Sequence, residues 1–432
     1  MNNGKIFIQI ASYRDPQLVP TIQDCISNAK YPENLKFCVA WQHGKEENID
    51  AIKDLPCVQI IDIDYMNSKG ACWARNQIQQ RYDGEEYTFQ LDSHHRFVKD
   101  WDEILINMYK QLVNVGHTKP LITSYIPSFD PDNDPIGRTQ VPWKMDFDRF
   151  IPEGAIFFLP ASIDDWKTRD FPVPSRFYSA HFAFTTGQFC LEVPHDPNYY
   201  FHGEEISIAV RAFTHGYDLF HPHVLVAWHE YTRKGRTKHW DDHGGDKESL
   251  PDKKQWAVRN SDCHLRNRKL FSMDGEKYDS IDWGKYGFGT VRTLRDYEKY
   301  SGICFGNRSV QKQVMERKYP DNDAAKYTTE EEWYSSLSRI YKHCIDISLH
   351  QVPLLDYDFW CVAFEREDGS PLYRKDADRN EVIRITNAAR SPSGGNNVQI
   401  WREFVTTENP HHWVVWPHSD TKGWGEKISR NL

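Results

Sequence analysis

Apolar and polar residues follow two different patterns along the first 126 positions of the chain. Short, nearly continuous apolar runs alternate with segments whose apolar residues recur every three or four positions. The runs predict buried strands, and the spaced segments predict helices with one buried face. The predicted strands are 6–11, 35–41, 57–63, 87–91 and 120–126, and the predicted helices are 18–29, 70–81 and 101–115. Strands alternating with helices predict a mostly parallel α/β sheet.

The pattern is less regular after residue 126, although several elements can still be predicted. A polar segment follows them, rich in Arg, Lys, His, Asp and Gly, and its composition is typical of a mobile loop or lid. The predictions are a loop at 129–138, one or two strands in 179–193, a helix at 204–215, a strand at 221–228 and the loop at 230–248.

The C-terminal hundred residues predict a different pattern of secondary structure, in which one helix is followed by short strands separated by turns. The helix is expected at 330–343 and the strands at 357–364, 381–385, 398–404 and 413–416. We therefore predict three parts: an α/β domain over 1–250, a helical or irregular extension over 251–325 and a β-rich domain over 326–432. The tryptophans of the last part fit the core of a small sandwich, or else a carbohydrate-binding surface.

Composition narrows the functional classes. The chain has 432 residues, 39% hydrophobic and 27% charged, with a formal net charge of −9, which gives no overall electrostatic footprint for nonspecific nucleic-acid binding. Its apolar runs are too short for a membrane span or a signal peptide. The nine cysteines are scattered and include no Cys-x-x-Cys pair, so we expect a reducing, cytoplasmic location.

The most informative segment is the turn that follows the strand at 87–91. Asp92 and His94 are two residues apart, so on an extended chain their side chains leave the strand on the same side. Ligands of open α/β sheets bind at the carboxyl ends of strands, and an oxygen and a nitrogen ligand there suit a divalent metal such as Mn²⁺. A plain polar turn is the alternative interpretation.

Other polar residues lie at positions in the predicted fold where they could contact a nucleotide. Ser12, Tyr13 and Arg14 end the first strand, where the first βα loop of a nucleotide-binding fold flanks base and ribose. Arg75 lies in the helix that precedes the Asp92 strand, so it either faces a nucleotide phosphate or pairs with a surface carboxylate. Arg233, in the basic run 231–236, is either a diphosphate clamp in a closing loop or a solvated charge.

The order of these motifs resembles a known family. Four features carry the resemblance: the Ala-Ser-Tyr-Arg-Asp strand end at 11–15, Gly-x-x-x-Ala-Arg at 70–75, Asp-x-His at 92–94, and Gly-Glu-Glu at 203–205 followed by the strand-terminal His229. Over residues 5–240 they resemble the GT-A glycosyltransferases, in particular the cytoplasmic hydroxyproline N-acetylglucosaminyltransferases. The polypeptide N-acetylgalactosaminyltransferases are a more distant likeness.

The resemblance implies a Rossmann-like GT-A fold and a metal-dependent enzyme that moves a sugar, GlcNAc by preference, from a UDP-sugar to a hydroxyl acceptor with retention. It implies that Asp92, His94 and His229 hold the metal, with Asp92 also at the nucleotide. Because imidazole suits softer metals, His94 favours Mn²⁺ over Mg²⁺. It also places Glu204 or Glu205 at the sugar or the acceptor, without choosing between them, and both are candidate catalytic residues.

Three other functions stay open at this point. A metallohydrolase uses similar residues but normally needs a denser ligand set. A non-catalytic protein that binds nucleotide-sugars or carbohydrates would keep the fold and the tryptophans. A transferase acting on a modified nucleic-acid base is also conceivable, so the acceptor is a protein, a glycan or a nucleic acid.

Overall fold

The structure is a computed structural model that describes residues 4–232, 235–320, 327–391 and 395–432. It forms two compact units. The first comprises Met1–Arg308 and Gln313–Trp333, and the second comprises Ser309–Lys312 and Tyr334–Leu432. The predicted three-part division at residues 250 and 325 stays a prediction.

The N-terminal three quarters of the chain contain helices and strands in alternation. The strands are β1 (Ile6–Tyr13), β2 (Leu35–His43), β3 (Val58–Asp64), β4 (Tyr87–Asp92), β5 (His95–Phe97), β6 (Pro120–Thr123), β7 (Trp143–Phe150), β8 (Ile156–Ser162), β9 (Val173–Pro174), β10 (Phe182–Thr186), β11 (Asp218–His221), β12 (Ala227–His229) and β13 (Ile303–Cys304). The α-helices are α1 (Leu18–Asn28), α2 (Ala71–Gln79), α3 (Trp101–Asn114), α4 (Phe189–Glu192), α5 (Glu204–Thr214), α6 (His239–Asp242), α7 (Trp256–Leu270), α8 (Leu294–Ser301), α9 (Lys312–Met315) and α10 (Glu330–Ser335).

Eight strands form the main sheet, in the order β3-β2-β1-β4-β10-β6-β11-β9. The pairs β2–β3, β1–β2, β1–β4 and β6–β11 are parallel, whereas β10 runs antiparallel to both its neighbours. The predicted α/β class with a mostly parallel sheet is therefore confirmed. Strands β1 and β4 pair with Ala11 opposite Asp92, so the end of β1 and the Asp-x-His turn share one edge.

The central strands read as continuous apolar runs because both faces of the sheet are covered. In β1, Ile6, Ile8 and Ile10 point into the core that also contains apolar residues of α1 and α3. Phe7 points to the other face, where it packs in a cluster with Ala74 and others of α2. Burial on both sides fixes the strand register, because a slip of one residue would exchange the two faces.

A small antiparallel ribbon lies beyond the edge of the main sheet. It joins β5 to β12 and places His229 directly opposite His95. The segment 221–228, predicted as one strand, is instead split between β11 and β12. Pro222 accounts for the break, because a proline has no N–H to give to the ladder. The segment 179–193 contains β10 and the short helix α4, so part of the predicted strand is helical.

The second unit is β-rich, as predicted, but it also contains a helix. Its elements are β14 (Ser309–Gln311), β15 (Leu337–Ser348), β16 (Tyr357–Glu365), β17 (Pro371–Arg374), β18 (Ala377–Asp378), α11 (Arg379–Arg390), β19 (Asn397–Thr406), β20 (His412–Ser419), β21 (Gly423–Trp424) and β22 (Ile428–Asn431). Strands β15 and β19 pair antiparallel, as do β16 and β20.

Two predictions in this unit are wrong. The predicted helix at 330–343 ends at Ser335, and β15 follows, with Ile345 and Ile347 buried by alternation. The predicted strand at 381–385 is part of α11, whose buried residues Val382, Ile385 and Ala389 follow helical spacing. None of the helices in the described ranges combines the length and the apolar character needed to cross a bilayer.

Candidate functional site

Asp92, His94 and His229 meet at the edge where β4 ends. Asp92 is the last residue of β4, His94 follows in the turn before β5, and the β5–β12 ribbon brings His229 beside them. Asp92 Oδ2 lies 3.7 Å from His94 Nε2 and 3.4 Å from His229 Nε2. One ligand atom from each of the three residues lies within 4.8 Å of the others. Residues 135 positions apart in the sequence thus form one cluster, as predicted.

The chemistry of this cluster fits a divalent metal ion. His229 is 6% exposed, and neither of its ring nitrogens has a hydrogen-bond partner among the described residues. A buried polar atom without a partner is costly and needs a reason, which metal coordination would supply. Burial also holds the pKa of His229 well below its ordinary value, so the ring is neutral, as a ligand must be. One carboxylate and two imidazoles suit Mn²⁺ and leave positions for further oxygen ligands.

Asp15 orients His94 from behind. His94 Nδ1 donates to Asp15 Oδ2 over 2.7 Å, and Ser93 Oγ donates to the same oxygen over 2.7 Å. The Asp15 side chain is only 4% exposed, so the bond is shielded from water. Since Nδ1 carries the proton, the lone pair of His94 is on Nε2, the nitrogen that faces Asp92. Carboxylates bonded in this way to ligand histidines fix the tautomer and strengthen the ligand.

Arg75 is buried behind Asp92 and joins it to Glu204. Its Nη2 donates to Asp92 Oδ1 over 2.8 Å and its Nη1 donates to Glu204 Oε1 over 2.6 Å. The guanidinium therefore holds one oxygen of Asp92 and leaves Oδ2 for the two histidines. His195 Nδ1 also lies 3.0 Å from Glu204. Although burial raises the pKa of Glu204, Arg75 and His195 lower it to about 2, so this carboxylate is ionised.

The neighbouring Glu205 has the opposite environment. Its carboxylate is half-buried, and it accepts hydrogen bonds from the Ala180 N–H over 2.9 Å and the Tyr125 hydroxyl over 2.8 Å. Burial outweighs these bonds and raises the pKa of Glu205 to about 7. Adjacent carboxylates with pKa values pushed far apart are characteristic of sites that divide charge and proton handling between two groups.

The residues that end β1 are placed differently from one another. Ser12 is fully buried, and its Oγ has no partner in the described part of the chain. Tyr13 lines the cleft described below and donates to Asp242 Oδ2 over 2.7 Å. Arg14 forms ion pairs of 3.0 Å with both Glu47 and Asp242. Of these three predicted nucleotide contacts, Tyr13 is the one whose side chain reaches the cleft.

A cleft of about 280 Å³ opens beside the metal-ligand cluster. Its walls come from the ends of β1, β2 and β4, the start of α2, and the segments around residues 200 and 229–240. The lining residues are Ala11, Tyr13, Gln42, Gly70, Ala71, Asp92, His94, Tyr200, Phe201, His229, Glu230, Tyr231, Arg236, Thr237, Lys238, His239 and Trp240. The location matches the predicted nucleotide site at the carboxyl ends of the parallel strands.

Arg236 carries positive charge into this cleft. Its Nη2 lies 2.8 Å from Glu230 Oε2, and its Nη1 donates to Asp15 Oδ2 over 3.1 Å. The same Nη1 is 2.5 Å from His94 Nδ1 and 3.0 Å from His94 Nε2, so the guanidinium lies against the imidazole ring. The side chain is 11% exposed, so most of it is packed within the protein. Arg233, predicted to contact the cofactor, lies outside the described residues.

Several residues of the site were not predicted, among them Asp15 and His181. The role of Asp15 depends on the turn after β4 folding back onto the end of β1. His181 stacks on His229 with ring centroids 4.2 Å apart, and the Tyr231 hydroxyl is 3.2 Å from its Nε2. His181 enters the site on the loop before the antiparallel strand β10, and no local pattern marks it. The Ser-Tyr-Arg-Asp strand end was a signal for Asp15, although not for its role.

Comparisons with known proteins give a family and several structural neighbours. The family model described as Glycosyltransferase (GlcNAc) matches residues 5–57 and 54–306. No curated protein matches the sequence. GalNAc-T7, solved with UDP, GalNAc and Mn²⁺, is 13% identical with a TM-score of 0.40, and the match covers 55% of this chain and 44% of that one. TarS of S. aureus is 8% identical with a TM-score of 0.35, covering 99% and 77%.

The matched residues include each position that forms the cluster and the cleft. They also extend over more than half of the 432 residues. This confirms the resemblance read from the motifs. The chain spans less than half the length of GalNAc-T7. The chain belongs to the GlcNAc glycosyltransferase family.

Proposed function

We propose that this enzyme transfers GlcNAc from UDP-GlcNAc to a hydroxyl acceptor, with retention and with Mn²⁺ as cofactor. The observation that carries the proposal is the cluster of Asp92, His94 and His229 at the wall of the cleft. In this cluster His229 Nε2 lies 3.4 Å from Asp92 Oδ2, and the buried Nδ1 of His229 has no hydrogen-bond partner among the described residues. A sugar leaving from a diphosphate needs positive charge at the leaving group more than it needs a proton donor.

Asp92, His94 and His229 would hold the cation through Oδ2 and two imidazole nitrogens. A divalent ion there supplies charge that stabilises the departing diphosphate. Arg236 is placed to contact the same phosphates, because its guanidinium lines the cleft beside His94. Arg75 acts as a positioning residue, since it holds Asp92 from the buried side and does not line the cleft.

Tyr13 is the proposed contact for the uracil or ribose. It lines the cleft at the end of β1, and its hydroxyl is held by Asp242 of α6. Gln42 lines the same region at the end of β2. Two neighbouring parallel strands thus offer an aromatic face and an amide, which suit a pyrimidine nucleoside.

Neither Glu204 nor Glu205 lines the cleft, and of the two we propose Glu205 as the contact for the sugar or the acceptor hydroxyl. Glu204 is fully committed to Arg75 and His195, whereas Glu205 keeps a pKa near 7 and a half-buried position. The two carboxylates lining the cleft among the described residues are both engaged: Asp92 in the ligand cluster and Glu230 with Arg236. Retention is the stereochemistry that the resemblance to the family implies.

The test is release of UDP from a panel of UDP-sugars with Mn²⁺, Mg²⁺ or EDTA and no acceptor. Retaining transferases hydrolyse their donor slowly, so no acceptor has to be known. We expect release from UDP-GlcNAc that depends on Mn²⁺ and is lost in His94→Ala. His411→Ala, which removes an exposed histidine of the second unit, is the control. UDP binding without turnover of any donor, even with a range of acceptors, would instead indicate a binding protein.

A further inference from the structure

A second groove, separate from the cleft, lies in the first unit and carries an excess of positive charge. It has a volume of about 640 Å³ and is lined mainly by the start of α2, the segment 197–200 and α7. Two acidic side chains line it against five cationic ones, which are Lys69, Lys254, Arg259, Arg266 and Lys269. This local excess contrasts with the formal net charge of −9 of the whole chain. We propose that the groove binds an acidic oligosaccharide.

Two of the five cations are available to a ligand. The other three form ion pairs, which are Lys254–Asp262, Arg259–Asp252 and Arg266–Asp196. Within the described part of the chain, neither Lys69 nor Lys269 forms an ion pair. Positive side chains that line a groove without a partner attract anions, because the walls of the groove concentrate their field. The ligand that fits them carries separate negative charges.

The rest of the wall favours a saccharide over a chain that is charged at every unit. Trp73 of α2 is half-buried and lines the groove, and the C–H face of a sugar ring packs well on an indole. The Asn198 amide and the carboxylates of Asp252 and Asp262 can accept hydrogen bonds from sugar hydroxyls. The same carboxylates would repel a polyglutamate or polyphosphate chain, which has no hydroxyls to donate to them. A saccharide in which charged and neutral sugars alternate satisfies both kinds of group.

The groove adjoins the nucleotide cleft. Tyr200 lines both of them, and its hydroxyl is 3.0 Å from Nδ1 of His239 in the cleft wall. Lys69 of the groove is followed directly by Gly70 of the cleft. A saccharide held in the groove therefore lies next to the donor site, where it would be part of the acceptor. That last step rests on the proposed function, whereas the binding of the saccharide does not.

The experiment is calorimetry on the full chain with two oligosaccharides of equal length. One is a hyaluronan fragment, in which glucuronate alternates with GlcNAc, and the other is a neutral chitin fragment made of GlcNAc alone. We expect the hyaluronan fragment to bind at least about tenfold more tightly, and added salt to weaken it. The double variant Lys69→Gln/Lys269→Gln should lose about tenfold in affinity, as expected for a charge-assisted hydrogen bond. Lys110→Gln is the matched control, since Lys110 is an exposed lysine of α3 that forms no ion pair in the described ranges.

Equal affinity of the wild type for the two fragments would overturn the proposal, and that comparison needs no variant. An equal loss in Lys110→Gln would also overturn it, because the net charge of the chain would then explain the binding. Poly-L-glutamate or polyphosphate bound as tightly as hyaluronan would replace the saccharide with a general polyanion.

The release of UDP from a donor reports on the proposed function separately. Release of UDP without any binding of hyaluronan would overturn the groove proposal alone. Hyaluronan binding that depends on the two lysines, without UDP release from any donor, would support the groove and overturn only its role in holding the acceptor.

Discussion

Arg75→Met tests the idea that a buried guanidinium holds the site together from behind. Arg75 is 5% exposed and bridges Asp92 and Glu204 with hydrogen bonds of 2.8 Å and 2.6 Å. Methionine keeps much of the volume but leaves two carboxylates facing each other without a cation. Removing one partner of a buried ion pair costs about 3–5 kcal/mol of unfolding free energy.

The pKa of Glu204 gives an independent magnitude. Its folded value is about 2 against an ordinary 4.5, and a difference of that size corresponds to about 3 kcal/mol. Because the folded pKa is the lower one, this stabilisation is complete above pH 4.5 and is lost as the pH falls through 2. The gap in stability between wild type and Arg75→Met should therefore narrow as the pH falls below 4.5.

The assay is urea unfolding followed by tryptophan fluorescence at a series of pH values from 7 to 3. Arg75→Met should lose about 3 kcal/mol at pH 7, and the double variant with Glu204→Gln should recover a large part of it. Arg81→Met, an exposed arginine just after the same helix, should change stability by less than about 0.5 kcal/mol. A loss in Arg75→Met that does not change with pH, or a double variant as unstable as the single one, would refute the reasoning.

Three further predictions concern the cleft. Asp92→Ala and His94→Ala should each abolish Mn²⁺ binding and UDP release while circular dichroism stays native, and wild-type rates from either would contradict the metal assignment. The rate of the wild type should change with an apparent pKa near 7, rising with pH as Glu205 ionises, and Glu205→Gln should remove that inflection from a pH–rate profile. Gly70→Ala should weaken UDP binding in calorimetry, because Gly70 has φ +107° and an added Cβ would lie 2.8 Å from Tyr200 Cδ2 in the cleft wall; unchanged affinity would mean that this wall does not contact the nucleotide.

Strands β1, β2 and β4 could be predicted because their apolar runs reflect burial on both faces, a property that a short stretch of sequence contains. The proximity of Asp92 and His94 could be predicted for a similar reason, because side chains two residues apart at a strand end point to the same face. His229 was assigned to the site because the order of the motifs resembles that of the family. Asp15 was not assigned a role, because its contact with His94 depends on how the turn after β4 folds back. Such contacts between distant segments leave no periodicity in the sequence.

The errors in the second unit have a related cause. In α11 the pattern Val382-Ile383 followed by Ile385 looks like a strand over five residues, and the helical spacing emerges only when Ala389 is included. In β15 the residues from 338 to 344 are nearly all half-buried, so a clear alternation begins only at Ile345 and Ile347. Short windows of mixed composition do not distinguish a helix from a strand where pairing with β19 decides the outcome.

The sequence left Glu204 and Glu205 as equal candidates for the chemistry, and the structure separates them through Asp92. As a proposed metal ligand, Asp92 has to present one oxygen to the cation while its other oxygen stays fixed. Arg75 fixes the other oxygen of Asp92 by a hydrogen bond to Oδ1. Because the carboxylate of Asp92 also faces the two histidines, the buried guanidinium needs a second negative charge. Glu204 supplies that charge, which is why it is ionised and buried. Its neighbour Glu205, one residue along the helix, points in a different direction, toward Tyr125 and the Ala180 amide. The need to hold Asp92 thus accounts for the first glutamate, and the second one is the residue that we propose for the sugar.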